Sequence, residues 1–256
     1  MNKHLLWLAV MLALPLLSTA QNTPEQDLEK GVETYNAYKV WMEGYPKREL
    51  VTPEVYKNGK ERLQNALQYL DKAINKGNAD VIRAARYFKA NTLYLSGYLD
   101  AIVLKNKEAW VIIKPLKPDF EYWSEPSLYP LRYVYFGQNY SIKYENFAPT
   151  LMEFYNAYAE LNELNGGPTE ESYLYYQKVV QSTYSSTWDK YIAFDKIAAV
   201  EAKTDPDLLK LPNTRLAQLY IYYSLPEKSK QVIKDNKFSS PKTIVPKILD
   251  FCKRTP

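Results

Sequence analysis

The chain has 256 residues, 33 Lys and Arg against 29 Asp and Glu, a formal charge of +4, one histidine, one cysteine and 24 tyrosines. That length suffices for one large domain or two small ones without covalent staples. A lone cysteine excludes an internal disulfide, and a nearly balanced charge excludes a strongly basic or acidic surface, so the fold must rest on packing.

The chain opens with a short basic start, Asn2-Lys3-His4, an apolar run from Leu5 to Leu17 and the small triplet Ser18-Thr19-Ala20. This order reads as a secretory signal peptide over residues 1–20, cleaved after Ala20. The run is too short for a membrane span of ~20 residues, and no later stretch approaches that length without charges. The expectation is an exported chain, periplasmic or secreted, with no stable membrane insertion after cleavage. Export disfavours nucleic acid as a partner. Cleavage also removes His4, leaving residues 21–256 without an imidazole.

Helix starts then recur as a capping residue, a proline at the first helical position and often an acid, as in Thr23-Pro24-Glu25 and Thr52-Pro53-Glu54. Proline loses no helical hydrogen bond there, and the acid meets the positive end of the dipole. Leu28, Val32, Tyr35 and Met42 share one face of the first helix, which should stop near Gly44. Leu63, Leu67, Leu70 and Ile74 line the second, which should end at Gly77. A third opens at Asn78 and carries Ile82, Ala85, Leu93 and Ile102. Residues 104–148 break the pattern, with four prolines and eleven aromatics from Trp110 to Phe147. Within them, residues 132–136 and 140–144 alternate around Gly137 as a β-hairpin would, and an irregular cover over the core is the other reading.

Further helices are predicted at about 149–164, 168–183, 187–202, 213–224, 226–236 and 241–254, with Gly166-Gly167 as a stop. Short connections make neighbouring helices antiparallel, so the fold class is mainly α, a stack of helical hairpins in one domain around the aromatic, proline-rich insertion. Late lysines from Lys228 to Lys253 form either a solvated helical face or a surface for an anionic partner. Cys252 reads as a small buried residue or as a thiol for another chain.

Two segments carry the spacing of a helical-hairpin repeat of about 34 residues. One runs Leu216-Ala217, Tyr220, Ser224, Pro226, Ser229 and Ile233. The other runs Ala90, Leu93, Gly97, Tyr98 and Ala101-Ile102, with Ala66 and Ala73 before it. Over about half its length the chain therefore resembles tetratricopeptide-like repeat proteins, although the first-helix tryptophan is absent from both segments. The resemblance implies a concave groove lined by Tyr87, Asn91 and Tyr94 in one unit and by Thr214, Gln218, Ile221 and Tyr222 in the other. Such residues could grip an extended peptide, or Tyr87 and Tyr94 could simply complete a helix interface.

Without histidine, Ser-His-Asp and Cys-His nucleophiles are excluded, as are zinc sites with imidazole or several thiolates. No calcium-loop spacing or phosphate-binding glycine loop appears, so neither a metal nor a cofactor is implied. Carbohydrate cleavage needs only carboxyl groups. Glu171-Ser172-Tyr173 resembles the start of the lytic transglycosylase signature, but its glycine-containing parts do not follow. Trp110 and Trp123, with the tyrosines around them, could form a stacking platform for glycans. The sequence thus points to a non-catalytic interaction module whose partner is another envelope or secreted protein. Glycan binding is the main alternative, and a carboxylate-only glycan-cleaving enzyme comes third.

Overall fold

The computed structural model describes residues 22–186, 188–190, 192–193 and 196–197. The predicted signal segment with His4, the predicted groove residues Thr214, Gln218, Ile221 and Tyr222, the predicted helices from 213 onward and Cys252 lie outside the described residues. Within them the protein is mainly helical with one two-stranded antiparallel sheet. In order come α1 (Pro24–Met42), α2 (Pro53–Lys76), α3 (Ala79–Ile102), α4 (Asn106–Ile113), α5 (Lys117–Trp123), β1 (Leu131–Tyr135), β2 (Gln138–Ile142), α6 (Tyr144–Leu164) and α7 (Thr169–Gln181). No helix among the described residues is long and apolar enough to cross a membrane.

The predicted starts are built as the sequence implies. Thr23 and Gln26 close a capping box, each side chain accepting from the other's backbone N–H at 3.2 and 2.9 Å. Thr52 Oγ1 accepts from Val55 N, and Asn78 Oδ1 accepts from the amides of Asp80 and Val81. Helix α6 starts five residues before the predicted point, because Asn146 Oδ1 accepts from Lys143 N and closes the entry. Pro149 then lies near the start of the helix and deletes only one ladder bond.

Two compact units make up the fold. The first comprises the described residues to Thr92 with Arg132–Ser141, and the second comprises Leu93–Leu131 with the described residues from Ile142 onward. In the first, α1 and α2 form a hairpin whose core joins Leu28 and Val32 to Leu63, Ala66 and Leu70. Gly31 lets the two helices touch, since a Cβ there would sit 2.7 Å from Leu70 Cδ2. Phe88 of α3 meets the edge of Tyr35 at 5.7 Å and of Tyr133 at 5.3 Å. The sheet turns at Phe136 and Gly137, both at positive φ (49° and 67°), as a two-residue turn matched to strand twist requires. Its strands therefore begin one or two residues earlier than the alternation predicts, and its turn is one residue shorter.

In the second unit the proline- and aromatic-rich stretch is not an irregular cover. It folds into α4 and α5, and the rings of Phe120, Trp123 and Phe147 are buried in the core. Phe120 stacks on Phe154 with centroids 3.9 Å apart, and Tyr94 packs edge-on against both. Helices α6 and α7 form the second hairpin. At the end of α6, Gly166 takes φ +74°, Gly166 N bonds Glu163 O and Gly167 N bonds Asn162 O at 2.8 Å. This is the Schellman stop expected of the Gly-Gly pair. The buried Asn162 then donates from Nδ2 to Pro168 O and Ser172 Oγ, both at 2.9 Å, and Ser172 Oγ donates to Ala159 O. Four tyrosines, Tyr155, Tyr158, Tyr175 and Tyr176, complete the α6–α7 interface.

Helix α3 runs unbroken through Gly97 and Tyr98, so the glycine of the repeat spacing makes no turn. Gly97 serves instead as a close contact, since a Cβ there would sit 2.6 Å from Ile113 Cγ1.

Candidate functional site

Among the described residues, burial corrects most of the ligand-facing assignments. Tyr87 is 7% exposed, and Asn91, 2% exposed, donates from Nδ2 to Tyr87 O at 2.8 Å. Both belong to the core of the first unit because the face of α3 read as concave is itself packed. Tyr94 is buried among Tyr98, Phe120 and Phe154. Trp123 is also core, 3% exposed, with Tyr129 Oη donating to its carbonyl. Trp110 is half-buried, its ring 5.1 Å from Tyr158 and 5.5 Å from the Lys114 ammonium. Neither tryptophan offers an open stacking platform.

Glu171 sits in the first turn of α7, where dipole logic expects an acid. Its Oε1 lies 2.6 Å from Lys117 Nζ and accepts from Tyr158 Oη at 3.2 Å. The hydrogen bond from Lys117, followed by its charge, holds the Glu171 carboxyl below the usual carboxylate range. A glycosidic general acid needs the opposite displacement, which an apolar pocket would provide. Lys117 also lies over the rings of Tyr158 and Tyr175, at 5.8 and 5.6 Å. These contacts describe a structural hub between α5, α6 and α7.

The second unit holds a different kind of place, a cavity of about 390 Å³ between the end of α3, the exposed face of α6 and the residues following α7. Its size falls within the range of ordinary ligand sites, roughly 300–1,000 Å³. Leu104, Leu164, Ile192 and Trp188 give it apolar walls, while Glu153, Glu160 and Asp189 give it three carboxylates. Among the described lining residues there is no cation. Trp188 is 68% exposed, and Leu104 and Leu164 are both more than half exposed.

Local sequence sets this geometry. Glu153, Asn156, Ala157, Glu160, Leu161 and Leu164 follow helical spacing along one face of α6. Ser186 and Asp189 cap the helical residues after α7, with Asp189 N donating to Ser186 Oγ at 3.0 Å and Ser186 N to Asp189 Oδ2 at 3.3 Å. That cap presents Trp188 and fixes Asp189 beside Asn156, whose Nδ2 donates to Asp189 O at 3.0 Å. Asn156 is 6% exposed, and its buried Oδ1 has no hydrogen-bond partner among the described residues. Burial raises the Tyr98 hydroxyl pKa above its ordinary value, and the charges of Glu153, Asp189 and Glu160 raise it further. Lys196 answers part of this charge, its Nζ lying 3.6 Å from Glu160 and 3.9 Å from Glu163.

Of the binding residues proposed from sequence, Tyr94 is the one among the described residues that lines this cavity. Tyr98, Glu153, Asn156, Trp188 and Asp189 were missed. The polar stripe on α6 was the available signal, and it is indistinguishable in sequence from a solvated face. Among the described residues no cluster of three potential metal-ligating side chains occurs. Comparison with family models, curated proteins and solved structures finds no match to this chain.

Proposed function

We propose that this chain is an exported, non-catalytic interaction module of the cell envelope that grips another envelope or secreted protein through the cavity of the second unit. The observation that carries this reading is Trp188. Its ring is 68% exposed beside Leu104 and Leu164 and next to buried Tyr94, with carboxylates around it. Large rings bordered by aliphatic walls and a polar rim are the usual anchors of protein interfaces. Export rests on the leader and its cleavage after Ala20, which N-terminal sequencing of the protein from its own host tests.

The direct experiment is affinity capture with the tagged full chain in its own host, at low and moderate salt, beside Trp188→Ala and an unrelated exported control. A stoichiometric protein partner retained by the wild type and lost from Trp188→Ala is the expected result. Retention of no protein at either salt refutes the interaction reading.

Glycan binding is the second reading, and it moves from the tryptophans to the hairpin of the first unit. Phe136 and Tyr140 are exposed there, with Tyr135 and Tyr140 ring centroids 5.7 Å apart. Glycan-array binding lost in Tyr140→Ala is the result that favours it.

A further inference from the structure

The first unit holds another cavity, of about 320 Å³, lined by the starts of α1 and α3 and by the hairpin, and it is independent of the interaction reading above. Ordinary ligand sites run from roughly 300 to 1,000 Å³, so this one suits a small molecule. Glu25 and Asp80 line it from the first turns of α1 and α3. Asn78 ties the two starts together, its Nδ2 donating to Glu25 Oε1 at 3.5 Å and its Oδ1 accepting from Asp80 N at 3.1 Å. On their own such acids answer the helix dipoles and imply no ligand.

Arg132 of β1 changes that. It lines the same cavity, is exposed, and its side chain makes no ion pair or hydrogen bond among the described residues. Opposite charges therefore share one cavity without meeting. Asn139 of β2, likewise without a side-chain partner among the described residues, adds a carboxamide. Leu28 and Val81, both buried, and exposed Val134 supply apolar surface.

We infer that this cavity binds a short peptide by its two free termini, the α-carboxylate on Arg132 and the α-ammonium on Glu25 and Asp80, with its side chains against Leu28, Val81 and Val134. A guanidinium takes a carboxylate through two parallel hydrogen bonds, and an ammonium donates to carboxylates as a point charge. A ligand with a single charge leaves part of this lining unanswered. Two extended residues span about 7 Å, enough to reach charges that do not reach each other. The Asn139 carboxamide, a donor and an acceptor together, matches the peptide bond between those termini.

The test is equilibrium dialysis of the full chain against radiolabelled Leu-Leu at low ionic strength, with N-acetyl-Leu-Leu and Leu-Leu-amide as competitors. Leu-Leu should bind saturably, and removing either terminal charge should weaken binding about tenfold, the worth of one charge-assisted hydrogen bond. Arg132→Met, which keeps an unbranched stem, should make Leu-Leu and its amide equal while the penalty for acetylation persists. Glu25→Gln combined with Asp80→Asn should do the reverse. Absence of saturable binding in the millimolar range overturns the inference, as do equal affinities of the three ligands for the wild type. An Arg132→Met chain that is folded by circular dichroism and still prefers the free carboxylate overturns it too. Trp188→Ala should bind Leu-Leu as the wild type does, and loss of binding in that variant, once shown to be folded, overturns the assignment to the first unit.

Discussion

Gly167→Ala places a methyl carbon 1.8 Å from Asn162 Oδ1, so the Asn162 side chain has to leave its position. Leaving breaks its two donated bonds, to Pro168 O and Ser172 Oγ, at about 0.5–1.5 kcal/mol net each. Exposing or misplacing a buried amide adds to this, and the expected loss is about 2–4 kcal/mol. The neighbouring Gly166→Ala meets no atom within 4 Å and costs only what φ +74° costs a side chain, about 1–2 kcal/mol. In an Asn162→Ala background the obstacle is gone, so the Gly167→Ala increment should fall below about 1 kcal/mol. Urea unfolding followed by circular dichroism at constant m-value gives all four quantities. A Gly167→Ala loss smaller than that of Gly166→Ala, or one that adds fully to Asn162→Ala, refutes the account of how the α6–α7 hairpin is closed.

Tyr176 Oη is buried without a hydrogen-bond partner among the described residues, so Tyr176→Phe should be neutral or stabilising by up to about 2 kcal/mol. Tyr175→Phe loses a 3.0 Å hydrogen bond to Glu121 and should cost about 1 kcal/mol in the same melt. Gly31→Ala drives a methyl into fully buried Leu70 and should cost about 1–3 kcal/mol, read as a lowered urea midpoint. Glu171 is held below its ordinary pKa, so its contribution is present above the unfolded value of about 4.3 and is lost as pH falls through the lower folded value. Lys117 is raised, chiefly by its hydrogen bond to Glu171, so its contribution is full below about 10.4 and is lost as pH rises through the folded value. Glu171→Gln and Lys117→Met should each flatten both limbs of a stability–pH curve, because each group is shifted chiefly by the other.

Helix beginnings were legible because their physics is local. A Thr-Pro-Glu run or an Asn after Gly77 satisfies orphan amides within four residues, whatever surrounds it. The hairpin between Arg132 and Tyr144 was legible as alternation, but its register was not, since nothing in sequence announces a phenylalanine at positive φ beside Gly137. The destination of the aromatics was also hidden. Phe120, Trp123 and Phe147 have a composition that serves a platform and a core equally, and packing against Phe154 decided for the core in the case of Phe120. Tyr87 and Asn91 went the same way, because an internal hydrogen bond lets a polar side chain stay on a buried helix face. The cavity required residues some ninety positions apart in the chain, from Tyr98 to Trp188, and no short-range pattern brings those together.

The tyrosines packed between α6 and α7 give the protein a built-in optical indicator. Burial, the first cause in each case, pushes the hydroxyls of Tyr155 and Tyr158 up to about 12 and moves those of Tyr175 and Tyr176 in the same direction. In an unfolded chain the same groups ionise near about 10. Alkali therefore favours the unfolded chain from about pH 10 upward, and tyrosinate absorbance from these four rings is released together with the fold. Tyr133 and Tyr135 of the first unit are raised by burial as well, so a simple spectrophotometric titration reads the integrity of both units without label, partner or ligand.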